Sequence, residues 1–256
     1  MATFVLVHGA WLGGWCWKKV VPRLRSHGHD AFTPTLTGLG DRAHLAGPAI
    51  NLTSHIQDVV KMLEYEDLRG VILVGHSYGG MVITGVADRA ADRIGSLVYL
   101  DAFLPEDGQA LVDLIPPTAR ASLSDRVLSE GDGWQLRTYR PVPWEVYLRE
   151  SWGVSAAADV EWIMERLQAQ PFQTFTEPVR RRNPAAEKID QMYILCNGGV
   201  PGGHPNGTFA SAAEAAREAG SGWGYRELLT GHAAMVTAPL ALADLLLDVT
   251  PADARA

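Results

Sequence analysis

Cysteine is scarce in this chain: Cys16 and Cys196 are the only two in 256 residues, and they are too far apart to form a Cys-x-x-Cys metal or redox motif. Buried free thiols in a cytoplasmic protein are expected rather than a disulfide framework. Positive charge is also short, with 22 Lys and Arg against 29 Asp and Glu and a formal charge of −7. The one basic run, Arg180-Arg181-Arg182, reads as a solvated edge, so neither nucleic acid nor an anionic membrane is an expected partner. No apolar run approaches the ~20 residues that cross a bilayer. The chain enters its first apolar segment at residues 3–7 without a basic leader before it. The eight histidines offer no pair at metal-binding spacing with a third ligand nearby; His27, His29, His44 and His55 read as surface residues.

What is present is a hydrophobic content of 47%, ample for one large α/β core. Residues 3–7 and 71–74 are short apolar runs, continuous rather than alternating, as strands buried on both faces require, and 31–34 and 95–100 read as further strands. Helix-like segments lie between them, at 17–27, 56–63 (Ile56, Val59, Val60 and Leu63 on one face) and 81–93. This alternation predicts a mostly parallel, doubly wound sheet covered on both faces. The rhythm breaks over residues 103–183, which are rich in Pro, Trp and Arg, and resumes with a strand at 192–196, a helix at 210–219, a strand at 225–229 and a closing helix at 239–249. The expected organisation is a core of residues 1–102 and 184–256 with an inserted helical cap at 103–183, over the carboxyl ends of the strands where such sheets bind ligands.

The chain is organised around Val71-Ile-Leu-Val-Gly-His-Ser-Tyr-Gly-Gly80. A buried strand that stops at Gly-x-Ser-x-Gly and passes at once into a helix reads as a nucleophile elbow, with Ser77 raised above the sheet edge. Gly75, Gly79 and Gly80 are needed because the strand and helix backbones pass too closely there for a Cβ. A second turn, His8-Gly-Ala-Trp-Leu-Gly-Gly-Trp15, ends the first strand and has neither dinucleotide nor phosphate-loop spacing. It suits an oxyanion loop, with the N–H groups of Ala10 and Tyr78 as paired donors. Serine needs a base, and His232, on the loop after the last strand, is the histidine at the right edge. Trp11, His76, Trp134 and Trp152 are the side chains expected to line the pocket, and a small molecule is the expected partner. The sequence leaves a homodimer open.

Taken in order, His8-Gly9, Gly75-His-Ser-Tyr-Gly-Gly80 and Gly231-His232 resemble the α/β-hydrolase fold, and more narrowly its branch of hydroxynitrile lyases, plant methylesterases and bacterial esterases. The resemblance implies a cofactor-free serine hydrolase acting through an acyl-enzyme on a small hydrophobic or aromatic ester, carbamate or amide. One departure stands out. The family usually carries its acid after the penultimate strand, yet residues 197–213 contain no Asp or Glu. Asp101, ending the strand at 95–100, is the expected substitute, with Asp107 and Glu106 behind it. Lyases of this branch carry a lysine after the catalytic histidine and a threonine in the first loop; Ala233 and Gly9 stand there instead. Carbon–carbon bond hydrolysis uses the same groups and stays open, as does an idle ligand-binding module.

Overall fold

The computed structural model describes residues 1–137, 143–198 and 208–249. Six strands form one parallel sheet in the order β2-β1-β3-β4-β7-β8: β1 (Thr3–Val7), β2 (Asp30–Phe32), β3 (Val71–His76), β4 (Ile94–Leu100), β7 (Asp190–Cys196) and β8 (Trp223–Leu228). Every residue of β3 is buried, as its continuous apolar sequence requires of a central strand. Its neighbours hold it in register, Val7 opposite Gly75 on one side and Leu100 opposite His76 on the other. All six strands therefore end along one edge.

The helices α1 (Val21–Ser26), α2 (Leu52–Tyr65), α3 (Gly79–Ala90), α8 (Thr208–Glu218), α9 (Ala234–Thr237) and α10 (Pro239–Val249) belong to the sheet's connections. Asn51 caps α2 by accepting the Ser54 N–H at 2.9 Å. Between β4 and β7 the chain leaves the sheet for α4 (Pro117–Glu130), β5 (Gln135–Leu136), α5 (Trp144–Glu150), α6 (Ala157–Met164), β6 (Gln170–Pro171) and α7 (Gln173–Thr176), with β5 and β6 paired antiparallel.

Three expectations need correction. The helix expected over 17–27 is split into a 3-10 turn at Gly14–Lys19 and the short α1, because Pro22 supplies no N–H and is tolerated only in a first turn. No helix was expected at α4, where Val127 alone is fully buried and the apolar period is correspondingly faint. His55 and His29 are buried, not at the surface. His55 shares the inward stripe of α2 with Leu52, Ile56, Val59, Val60 and Leu63, and its ring bridges the Thr37 carbonyl and the Tyr78 hydroxyl, each at 2.8 Å. His29 accepts the Ala2 N–H at 3.0 Å and meets Phe4 edge-on.

His8 is equally enclosed. Its Nδ1–H donates to the Gly9 carbonyl at 2.8 Å while Nε2 accepts the Leu36 N–H at 3.1 Å, which fixes a neutral tautomer. Burial lowers the pKa of both His8 and His55 to about 4. In the unfolded chain these groups protonate near ~6.5, so acid favours unfolding: stability is full above that value and is lost as pH falls towards the folded pKa. Thermal denaturation should give a flat midpoint from pH 8 to 7 and a marked fall by pH 5, where each of these two histidines costs about 2 kcal/mol. A midpoint unchanged between pH 7 and 5 would contradict this account of the buried imidazoles.

Candidate active site

The turn after β3 places Ser77 at φ 54°, in the left-handed region that a non-glycine residue occupies at a cost. The crossing that forces it is tight: a Cβ on Gly75 would lie 2.6 Å from the Gly79 carbonyl oxygen, and one on Gly80 would lie 2.1 Å from that of Phe103. Backbone bonds tie the turn to the next strand, from Ser77 N–H to Leu100 O (3.2 Å) and from Phe103 N–H to Ser77 O (3.1 Å). The N–H groups of Ala10 and Tyr78 take no part in the backbone hydrogen bonds among the described residues. Both residues line the cavity that Ser77 enters.

His232 follows β8 on a loop and lines the same cavity. Its Nδ1–H donates to Asp101 Oδ2 at 2.6 Å, which leaves Nε2 as the nitrogen with the lone pair. Asp101 is itself left-handed at φ 44°, one residue past β4, and is buried. Its other oxygen accepts the Cys196 N–H at 3.2 Å, and its own N–H donates to Ile194 O at 2.8 Å. The following residue is braced by the Tyr193 hydroxyl, which donates to Ala102 O (2.8 Å) and accepts from Ala102 N–H (3.1 Å). Burial lowers the His232 pKa below the ordinary imidazole value, so the ring is a neutral base at pH 7. Phe209 stacks on it at 5.0 Å between ring centres, and Trp152 meets it edge-on at 5.5 Å.

The remaining expected site residues fall into two groups. Trp11 and Trp152 lie on the cavity wall. His76 and Trp134 do not, which corrects the expectation for both. His76 lies beneath the site, where its Nε2–H donates to the His232 carbonyl at 2.9 Å and its ring closes against Gly9. Trp134 is held by its backbone in the β5–β6 region, accepting the Phe172 N–H at 2.8 Å. Asp107 sits at the surface with Arg182, 3.1 Å away, and Glu106 is exposed. Most of the usual acid loop, residues 199–207, lies outside the described residues.

The cavity measures about 210 Å³. Its wall includes residues that the sequence did not single out: Phe103, Leu111 and Ile115 after β4, Ser122, Leu123 and Arg126 on α4, and Phe209 on α8. A more polar cavity of about 300 Å³ lies between α2, α3 and residues 177–182; Asp107 and Arg182 line it, but Ser77, His232 and Asp101 do not. Among the described residues no group of three His, Cys, Asp or Glu is placed to hold a metal, and no helix is long and apolar enough to cross a membrane. Both cysteines are buried and free.

Residues 4–245 match the alpha/beta hydrolase family. The carbendazim hydrolyzing esterase of a Nocardioides species is 41% identical over 251 residues, covering 96% of this chain and 98% of that protein. Methylesterase 2 of Arabidopsis thaliana is 28% identical over 207 residues, 76% of this chain and 70% of that one. Among solved structures, an extracellular alpha/beta-hydrolase from a Paenibacillus species superposes with a TM-score of 0.80 at 24% identity, covering 97% of this chain and 98% of that chain.

The short, buried Nδ1–H···Oδ2 contact should give a far-downfield imidazole proton resonance in the NMR spectrum of the native protein, one that Asp101→Asn removes. Its persistence in that variant would mean that the proton belongs to another pair.

Proposed function

The chain belongs to the alpha/beta hydrolase family, and from that premise we propose that it is a serine hydrolase in which Ser77, His232 and Asp101 act together on a small carboxylic ester. The observation that carries this reading is the convergence on one cavity of Ser77, on its strained turn, and a neutral His232 bonded to a buried carboxylate. In the reaction, Ser77 Oγ attacks the substrate carbonyl and His232 Nε2 takes its proton. Asp101 keeps the proton of Nδ1 in place and stabilises the imidazolium as it forms. The oxyanion of the tetrahedral intermediate is received by the N–H groups of Ala10 and Tyr78. His232 then returns the proton to the leaving alcohol, and a water activated by the same nitrogen releases the acid from Ser77.

The substrate follows from the walls. A cavity of about 210 Å³ is below the ~300–1,000 Å³ typical of ligand pockets. Its aromatic and aliphatic lining favours a short acyl chain or a single flat ring system. The insertion at 103–183 serves as its cap. A carbamate fits the same chemistry, and the 41%-identical relative is named for hydrolysing carbendazim. Ala233 is buried beside His232, where a lyase of this branch would place its lysine, so cyanohydrin cleavage is the weaker reading. The free buried thiols suit a cytoplasmic setting.

Assayed on 4-nitrophenyl esters, activity should peak at short acyl chains and fall steeply by octanoate. Ser77→Ala should abolish turnover, and Asp101→Asn should lower kcat by about 10⁴-fold, the cost of the wrong imidazole tautomer in comparable triads. Activity in Ser77→Ala within tenfold of the native enzyme would refute the proposed nucleophile.

A further inference from the structure

The residue after Ala10 is held from the far side of the cavity. Trp11 is left-handed at φ 61°, a conformation that a large side chain does not adopt unaided. Three contacts hold it there, all from the segment between β4 and β7. Gln170 Oε1 accepts its N–H at 3.1 Å, its carbonyl accepts the Gln168 N–H at 3.0 Å, and its indole N–H donates to Leu136 O at 3.3 Å.

The side chain of Gln170 is fully buried, where a carboxamide is tolerated only if its hydrogen bonds are met. Its orientation is forced, because an N–H from Trp11 demands the oxygen on that side. Nε2 then donates to Thr174 Oγ1 at 2.8 Å, and the threonine passes its own proton to Pro171 O at 2.6 Å. Thr174 is buried too, and its side chain interacts with the hydroxyl of Tyr78, whose O–H is taken by His55 Nδ1 at 2.8 Å. Gln170 therefore bonds to the residue that follows Ala10, and Thr174 lies against the Tyr78 side chain, yet neither lines the cavity.

We propose that Gln170, backed by Thr174, is a positioning residue: by fixing the peptide plane that follows Ala10 it holds the Ala10 backbone, and with it the direction of the Ala10 N–H in the preceding plane. This rests on the reading of Ala10 and Tyr78 as the oxyanion donors. A group that sets donor direction without touching substrate governs the transition state more than the ground state, so its loss should appear in kcat.

The test uses the full-length protein with 4-nitrophenyl acetate as substrate and a trifluoromethyl ketone as a reversible tetrahedral mimic. Gln170→Met keeps the length of the side chain and removes its hydrogen bonds. Thr174→Val keeps the shape and removes the hydroxyl, whereas Thr174→Ser keeps the hydroxyl and removes a methyl. The expected result for Gln170→Met and Thr174→Val is a fall in kcat of about 10- to 100-fold, as for a displaced oxyanion donor. KM should stay within about twofold while ketone affinity falls in parallel. Thr174→Ser should recover most of what Thr174→Val loses. Should Gln170→Met fail to fold, the pair at 174 decides. A kcat within threefold of native for Thr174→Val, a loss confined to KM, or a Ser variant as impaired as the Val variant would overturn the proposal. If Ser77→Ala is inactive and these variants keep kcat within threefold of native, this proposal alone fails. Retained hydrolysis by Ser77→Ala overturns the underlying reading and this proposal with it.

Discussion

Three neighbouring parallel strands, β1, β3 and β4, are each followed by a non-glycine residue forced into the left-handed region: Trp11, Ser77 and Asp101. Each such residue costs on the order of 1–3 kcal/mol and persists only where its surroundings leave no alternative. Here the surroundings are the crossed backbones at Gly75 and Gly80, the bonds from Ser77 N–H to Leu100 O and Asp101 N–H to Ile194 O, and the grip on Trp11 from Leu136, Gln168 and Gln170. The parallel sheet makes this possible by ending its strands along one edge, so that the turns after β1 and β3 bring Trp11 and Ser77 to one cavity and the turn after β4 places Asp101 behind it, against His232.

The second constraint is the removal of water. His8, His55, His76 and His232 are all buried, and burial is the largest cause lowering the pKa of each. A neutral imidazole has one donor and one acceptor, which gives each ring a direction. His8 ties the first loop to Leu36, His55 orients the Tyr78 hydroxyl, and His76 holds the backbone of His232. Removing water also raises the cost of burying Asp101 alone. Its two oxygens are met by His232 and by the Cys196 N–H at the end of the neighbouring strand β7. A carboxylate at the end of β4 thus reaches the imidazole without an acid on the loop after β7.

The core was legible in the sequence because a buried parallel strand leaves a continuous apolar run, and Ser77 because glycine spacing around it reports a steric necessity. His55 carried a readable signal: it falls three residues after Leu52 and one before Ile56, inside the apolar stripe of α2. Reading it by residue type rather than by position put it at the surface. Arg126 and its neighbours on α4 left almost no trace, since a helix that buries only Val127 completely has little period to detect. Trp134 and Trp152 look alike in sequence. Which of them faces the cavity depends on how residues 103–183 fold back, and that is set by long-range contacts such as Trp152 against His232.

In the proposed reaction one serine in this cavity is activated by its surroundings. A fluorophosphonate followed by peptide mapping tests it directly, since the reagent bonds only to a hydroxyl with a base at hand and an oxyanion site to receive the phosphoryl oxygen. The account predicts a single adduct on Ser77 in the native protein and none in His232→Ala over the same time. An adduct on Ser122, which lines the same cavity, or no adduct at all, would contradict it.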